Sequence, residues 1–219
     1  MLFGKIEYLN LLPFHIFMKR FAPSSQIKMS MEYKKGVPAK INNDFKNRRV
    51  DAAFISSITA KKHKKVALGI IAKKEVKSVL VIPQANAKKD KESATSNVLA
   101  NVLNIQGEVL IGDKALRYAL KNDNYIDLAL EWNNHYNLPF VFAVLAYHKD
   151  KKIYKKIERN FGNTKVKIPQ YLLEKAAKRT EVSKQEALEY LKLISYKLDR
   201  KAQRGLAKFY REVKIKNLS

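Results

Sequence analysis

The sequence predicts an α/β protein built from two lobes. Three observations predict it. Through the first 60 residues, short apolar runs alternate with helical periodicity in the order β-α-β-α-β, the pattern of a parallel sheet with right-handed crossovers. A second strand-rich segment begins at position 66. Beyond position 150 the apolar residues keep helical spacing only. The expected division gives residues 1–74 and 170–219 to one lobe and 75–169 to the other, with the ligand crevice between them.

Residues 3–8 read as a short strand, and 9–12 turn the chain. Pro13 opens an apolar helix, where its missing N–H would have had no partner. Phe14, Phe17, Met18 and Phe21 recur at helical spacing. Residues 27–33 alternate strictly and predict a strand with one buried face. Gly36 breaks it, and Pro38 starts a helix carrying Ile41 and Phe45. Residues 50–55 form a more buried strand that ends in Ser56-Ser57. Residues 66–72 and 76–83 are two further strands, the second interrupted by Ser78. Ser93-Ala94-Thr95-Ser96 then crowds hydroxyls at the start of a helix whose apolar face is Val98, Leu99, Val102 and Leu103. Ordinary N-capping accounts for them; hydroxyls with free N–H groups also make a cradle for a carboxylate. Residues 108–112 are a strand, and Asp113 caps a helix over 114–120. Residues 125–136 are helical in part and hold the single Trp, Trp132, and 138–146 form a buried strand. A helix follows with Ile153, Ile157 and Phe161 on one face, and another begins near Pro169. Ser183 to Glu186 is a capping box opening a helix through Leu188, Leu191, Ile194 and Leu198. The last helix carries Ala202, Leu206, Phe209 and Val213.

Two strands of the first unit end in polar residues, Asn10 and Ser56-Ser57. In a parallel sheet those ends share one edge, and ligands bind there. Asn also favours turns for local reasons alone. The charge is extreme, with 44 Lys and Arg against 20 Asp and Glu, a net +24. A continuous basic groove would point to nucleic acid. Here the lysines fall in short clusters along the whole chain, at 34–35, 61–65, 73–74, 88–91, 149–152 and 155–156, several on polar helix faces. The expectation is dispersed charge that favours anionic ligands, with no nucleic-acid partner. There is no cysteine, which excludes disulfides, thiolate catalysis and cysteine metal sites and fits a reducing compartment. The four histidines are scattered; His15 reads as a partnered core residue and His63 lies in a lysine run. Neither a P-loop nor a dinucleotide fingerprint nor a hydrolase elbow is present. No metal and no cofactor are expected. The longest apolar run, 138–147, is far below the ~20 residues of a membrane span. No leader pattern opens the sequence, so a cytoplasmic monomer or homodimer without a membrane partner is expected.

Six motifs then stand in order: Gly4-Lys5-Ile6-Glu7-Tyr8-Leu9-Asn10-Leu11-Leu12-Pro13-Phe14, the run 50–57 ending Ile55-Ser56-Ser57, Lys77-Ser78-Val79, Ser93-Ala94-Thr95-Ser96, Ile111-Gly112-Asp113-Lys114-Ala115-Leu116, and the run 127–146 through Trp132 and Leu138-Pro139-Phe140. Together they resemble the chorismate dehydratases of the futalosine route to menaquinone, which share the two-lobed, type II fold of periplasmic solute-binding proteins. The resemblance covers most of residues 3–147; the closing helices fit loosely and the chain is short for the family. It departs at Glu7, where the family carries Ser, and at Ala94, where it carries Arg. The resemblance implies a lyase that converts chorismate, a small dianion, to 3-[(1-carboxyvinyl)oxy]benzoate in a cleft between the lobes. It implies Asn10 as the catalytic residue and Ser56, Ser57, Ser78, Thr95, Ser96 and Asp113 as substrate-binding residues. No side chain stands out as the base. Asp113 and Glu131 are the nearest carboxylates in motif context, and a substrate carboxylate positioned by Asn10 is the alternative. A small-anion binding protein of the same fold and the related 1,4-dihydroxy-6-naphthoate synthase are the other readings; the Y-L-N-x-x-P opening favours the dehydratase.

Overall fold

A computed structural model describes residues 1–21, 32–84 and 86–218. Strand β1 (Leu2–Lys5) leads through a 3-10 turn (Leu9–Leu11) into α1 (Leu12–Arg20), with Pro13 in its first turn. Of the strand expected over 27–33, residues 27–31 lie outside the described residues; β2 covers Glu32–Lys35. Pro38 opens α2 (Pro38–Lys46), and β3 (Ala52–Ser56) runs directly into a single turn, α3 (Ser57–Ala60). β4 (Lys65–Ala72) and β5 (Val79–Ile82) follow. Then come α4 (Ala94–Val102), β6 (Glu108–Ile111), α5 (Gly112–Lys121), β7 (Ile126–Asp127), α6 (Leu128–Tyr136) and β8 (Phe140–Tyr147). The chain closes with α7 (Lys151–Gly162), α8 (Gln170–Thr180), α9 (Lys184–Leu193), β9 (Ile194–Lys197) and α10 (Arg200–Ile215).

The strands form two sheets. The larger has the order β2-β1-β3-β8-β4-β9 and the smaller β6-β5-β7. β1 pairs parallel with β2 and with β3, as the β-α-β-α-β pattern requires. β8 enters antiparallel between β3 and β4. The chain has therefore returned to the larger sheet by Phe140, ahead of position 170 where the sequence put the return. The apolar run gives the strand but not its sheet, because only pairing partners some 70 to 95 residues earlier decide that.

Helix boundaries follow local chemistry. Ser93, Asp127 and Asp199 accept first-turn N–H groups of α4, α6 and α10. Ser183 and Glu186 form the expected capping box of α9. α9 does not continue to Leu198, however. At Ile194 the backbone becomes extended and Ile194–Lys197 pairs with β4, Ala72 facing Ile194. An open strand edge beside a β-branched and aromatic run outweighs the helical spacing.

Under the larger sheet Phe14 meets Phe54 edge-on at 4.8 Å and Phe161 at 5.2 Å. On its other side Trp132 meets Phe140 at 5.2 Å, and Phe140 meets Phe209 at 5.1 Å. Each such ring, fully buried, contributes roughly 1.5–3 kcal/mol; the first cluster ties α7 to β3, and the second ties α6 and α10 to β8. Gly205 lets α10 seat against β8, since a Cβ there would lie 2.1 Å from the Pro139 carbonyl. Among the described residues no helix is long and apolar enough to cross a membrane, and no group of His, Asp and Glu could hold a metal ion.

Candidate active site

The parallel pairing of β1 with β3 puts Asn10 and Ser56 at the same sheet edge. Facing them across a crevice are Ser78, beside β5, and the start of α4. The crevice has a cavity volume of about 80 Å³. Ile6, Phe54, Ile70, Val76 and Phe142 supply apolar surface, and Tyr8, Asn10, Ser56, Ser78, Ser93 and Ser96 supply the polar groups. No carboxylate, imidazole or cation is among these lining residues.

Three of the hydroxyls share one arrangement. Ser56 Oγ accepts from Asn42 Nδ2 at 2.7 Å. Ser78 Oγ accepts from the Tyr190 hydroxyl at 2.9 Å. Ser96 Oγ accepts from the Ser93 hydroxyl at 2.7 Å, while Ser93 Oγ receives the Ser96 N–H. A hydroxyl has one proton to give. Each of these serines is hydrogen-bonded from behind, which leaves the crevice as the open direction for its hydroxyl. The crevice is thus apolar with convergent donors, suited to an organic anion.

Asn10 is held from the C-terminal segment. The buried Tyr196 hydroxyl donates to the Asn10 carbonyl at 2.6 Å, and the side chain of Asn10 hydrogen-bonds the Tyr190 hydroxyl. Burial pushes both phenols well above the usual tyrosine range, so they stay neutral donors. Tyr8, next to the turn, donates its hydroxyl to Glu92. Burial first, then that carboxylate, raises its pKa too. Its ring lies over Gly112, whose φ of +67° favours glycine and whose Cβ would come within 2.6 Å of the ring.

Four of the seven expected site residues, Asn10, Ser56, Ser78 and Ser96, line this one crevice. Ser57, Thr95 and Asp113 do not. Ser57 is fully buried and donates to the Val141 carbonyl at 2.5 Å, because consecutive residues leaving a strand face opposite ways. Thr95 Oγ1 accepts the Ile58 N–H at 3.2 Å and joins α4 to α3. Asp113 does not cap its helix, which begins one residue earlier at Gly112. It accepts the Leu9 N–H at 2.9 Å with Arg179 3.5 Å away, and so holds the turn that carries Asn10. Burial pushes its carboxyl up, opposed by that N–H and by Arg179 and Arg117. Glu131 is likewise away from the crevice and bonds Asn134 on the outer side of α6. Glu7, the departure from Ser, points outward to Lys5 and Lys35. Ala94 is exposed beside a neighbouring groove that includes Lys46 and Lys91. His15 is the expected partnered core histidine: one ring nitrogen meets the Ile6 carbonyl at 2.8 Å. Sequence reasoning missed Tyr8, Asn42, Tyr190 and Tyr196. Tyr8 stood inside the opening motif, but nothing in the sequence marks the two C-terminal tyrosines.

The family profile described as menaquinone biosynthesis matches residues 1–107 and 102–214. A chorismate dehydratase from Campylobacter jejuni is 46% identical over 223 residues, covering 100% of both chains; the closing helices, loosely similar by motif, are therefore part of the match. Among solved structures, protein AF1704 from Archaeoglobus fulgidus superposes with a TM-score of 0.76 at 12% identity, over 100% of this chain and 98% of that one. The periplasmic aliphatic sulphonate binding protein SsuA from Escherichia coli superposes with a TM-score of 0.63 at 12% identity, over 100% and 87%. These likenesses show a periplasmic-binding-protein fold of two lobes with the crevice between them, and the matched sequence shows that the chain belongs to the menaquinone-biosynthesis family.

Proposed function

We propose that this chain is a chorismate dehydratase, acting in the cytoplasm on the futalosine route to menaquinone. The observation that carries the reading is the donor-lined apolar crevice. Chorismate brings two carboxylates and a ring. Ser56, Ser78 and Ser96 offer protons to the carboxylates, and Ile6, Phe54, Ile70 and Phe142 flank the ring. Closure around the ring excludes water and strengthens each polar contact. The product is 3-[(1-carboxyvinyl)oxy]benzoate. One ring proton and the ring hydroxyl leave together as water, and the ring becomes aromatic without an oxidant.

The lining offers no carboxylate or imidazole to take the ring proton. We assign that step to the substrate's own enolpyruvyl carboxylate, with Asn10 orienting it. Holding a base against its proton in this way lowers barriers by ~7–11 kcal/mol in favourable cases. Asn10 suits the role because Tyr190 and Tyr196 fix it from two directions. Incubation with chorismate tests the reading. A new aromatic absorbance and a mass lower by one water are expected; unchanged chorismate would overturn it.

A further inference from the structure

We propose that Asn42, outside the motifs that carry the family resemblance, is a positioning residue that fixes the donor polarity of Ser56. The inference rests on the reading of this crevice as the substrate site. Asn42 lies on α2 and is buried. Its Oδ1 accepts the Ser56 N–H at 3.0 Å, and its Nδ2 donates to Ser56 Oγ at 2.7 Å. A backbone N–H can only donate, so it decides which end of the amide faces it. The other end, the NH2, has to face Oγ. Ser56 Oγ is then compelled to accept, and its proton has the crevice as its remaining direction. One amide thereby converts a freely turning hydroxyl into a fixed donor for a substrate carboxylate.

Asn42→Asp keeps the shape and reverses the polarity. One carboxylate oxygen still takes the Ser56 N–H. The other now accepts the Ser56 hydroxyl proton and draws it out of the crevice. The expected result at pH 8 is a KM for chorismate raised about ten- to a hundredfold, the worth of a hydrogen bond to a charged group, with kcat changed far less. Lowering the pH should recover KM relative to the parent enzyme, since a protonated carboxyl donates to Oγ as the amide does. Asn42→Ala removes more contact yet should raise KM less. A residue that served packing alone would give the opposite order and no pH recovery, and either outcome overturns the proposal. Ser56→Ala separates the two levels. If Ser56→Ala leaves KM unchanged, the reading of the site fails. If it raises KM and Asn42→Asp does not, the proposal alone fails. In the Ser56→Ala background the greater part of the Asn42→Asp effect should vanish; a full further rise would mean that the new charge, not the hydroxyl, is responsible. Should Asn42→Asp not fold, the same comparison between Asn42→Ala, Ser56→Ala and their double variant decides, with additivity as the refuting result.

Discussion

The two walls of the crevice present similar hydroxyls but set them differently. On the larger sheet Ser56 is backed by an amide whose direction a backbone N–H determines. At the start of α4, Ser96 is backed by Ser93, hydroxyl against hydroxyl. Both of those groups rotate, and no rigid partner decides which one donates. Ser78 stands between the cases, backed by a phenol that Asn10 also touches. A preset donor needs a rigid partner behind it. The larger sheet's wall is preset, and the α4 wall adapts.

The comparison breaks most sharply at Asn10. Asn10→Ala should lower kcat by on the order of 10²- to 10³-fold, as removal of one oriented donor does elsewhere, with KM moved far less. Ser96→Ala, on the adaptable wall, should mainly raise KM. Steady-state kinetics on both variants checks this, and a matching kcat loss in Ser96→Ala would erase the distinction between the walls.

The next effect is on stability. His15 supports Ile6, a lining residue of the preset wall, and burial lowers its pKa from 6.5 to about 4. The folded chain keeps the ring neutral while the unfolded chain protonates it, so stability is intact above pH 6.5 and falls as pH drops toward 4. At about 1.4 kcal/mol per pH unit the loss is about 3 kcal/mol. Denaturant melts at pH 7 and pH 4 should show that His15→Gln loses less on acidification than the parent; equal losses would place the acid sensitivity elsewhere.

Tyr190→Phe should cost ~1–3 kcal/mol, the range for a buried hydrogen bond left half made. It should also turn Ser78 into a rotor and raise KM several-fold. Unaltered melting and KM would show that Ser78 needs no phenol behind it. Ser93→Ala gives the smallest change. Loss of the cap destabilises by ~0.5–2 kcal/mol, seen in the melting temperature. KM should hold, because Ser96 keeps its own proton to donate; a marked KM rise would mean that the α4 wall is as preset as the other.

Legibility followed sequence distance. The Ser93–Ser96 bond spans three residues and reads as a helix cap. The Asn42–Ser56 bond spans 14: helix and strand were both visible, but which helix position faces the strand's last residue depends on their packing. Tyr190 reaches Ser78 over 112 residues and Tyr196 reaches Asn10 over 186, and no local pattern encodes either. Adjacent Ser56 and Ser57 looked equivalent as letters, yet strand geometry allowed only one of them into the crevice. Asp113 read as a cap because nothing local shows that its carboxylate is taken by the Leu9 N–H, 104 residues away. The two lobes were legible in the order of elements. Their boundary was not, because β8 is placed by pairing with β3 and β4.

The position of β9 bears on how the chain can be made. β4 lies between β8 and β9, so its outer edge, from Leu68 to Ala72, has no partner until residues 194–197 have been synthesised. A bare edge of this apolar composition is a template for pairing with another chain, and pairings so distant in sequence form late. During translation the half-built sheet is exposed to aggregation for most of the chain's length. Chains released before Ile194 should collect as aggregates, and the protein becomes safe in solution only once its last strand has left the ribosome.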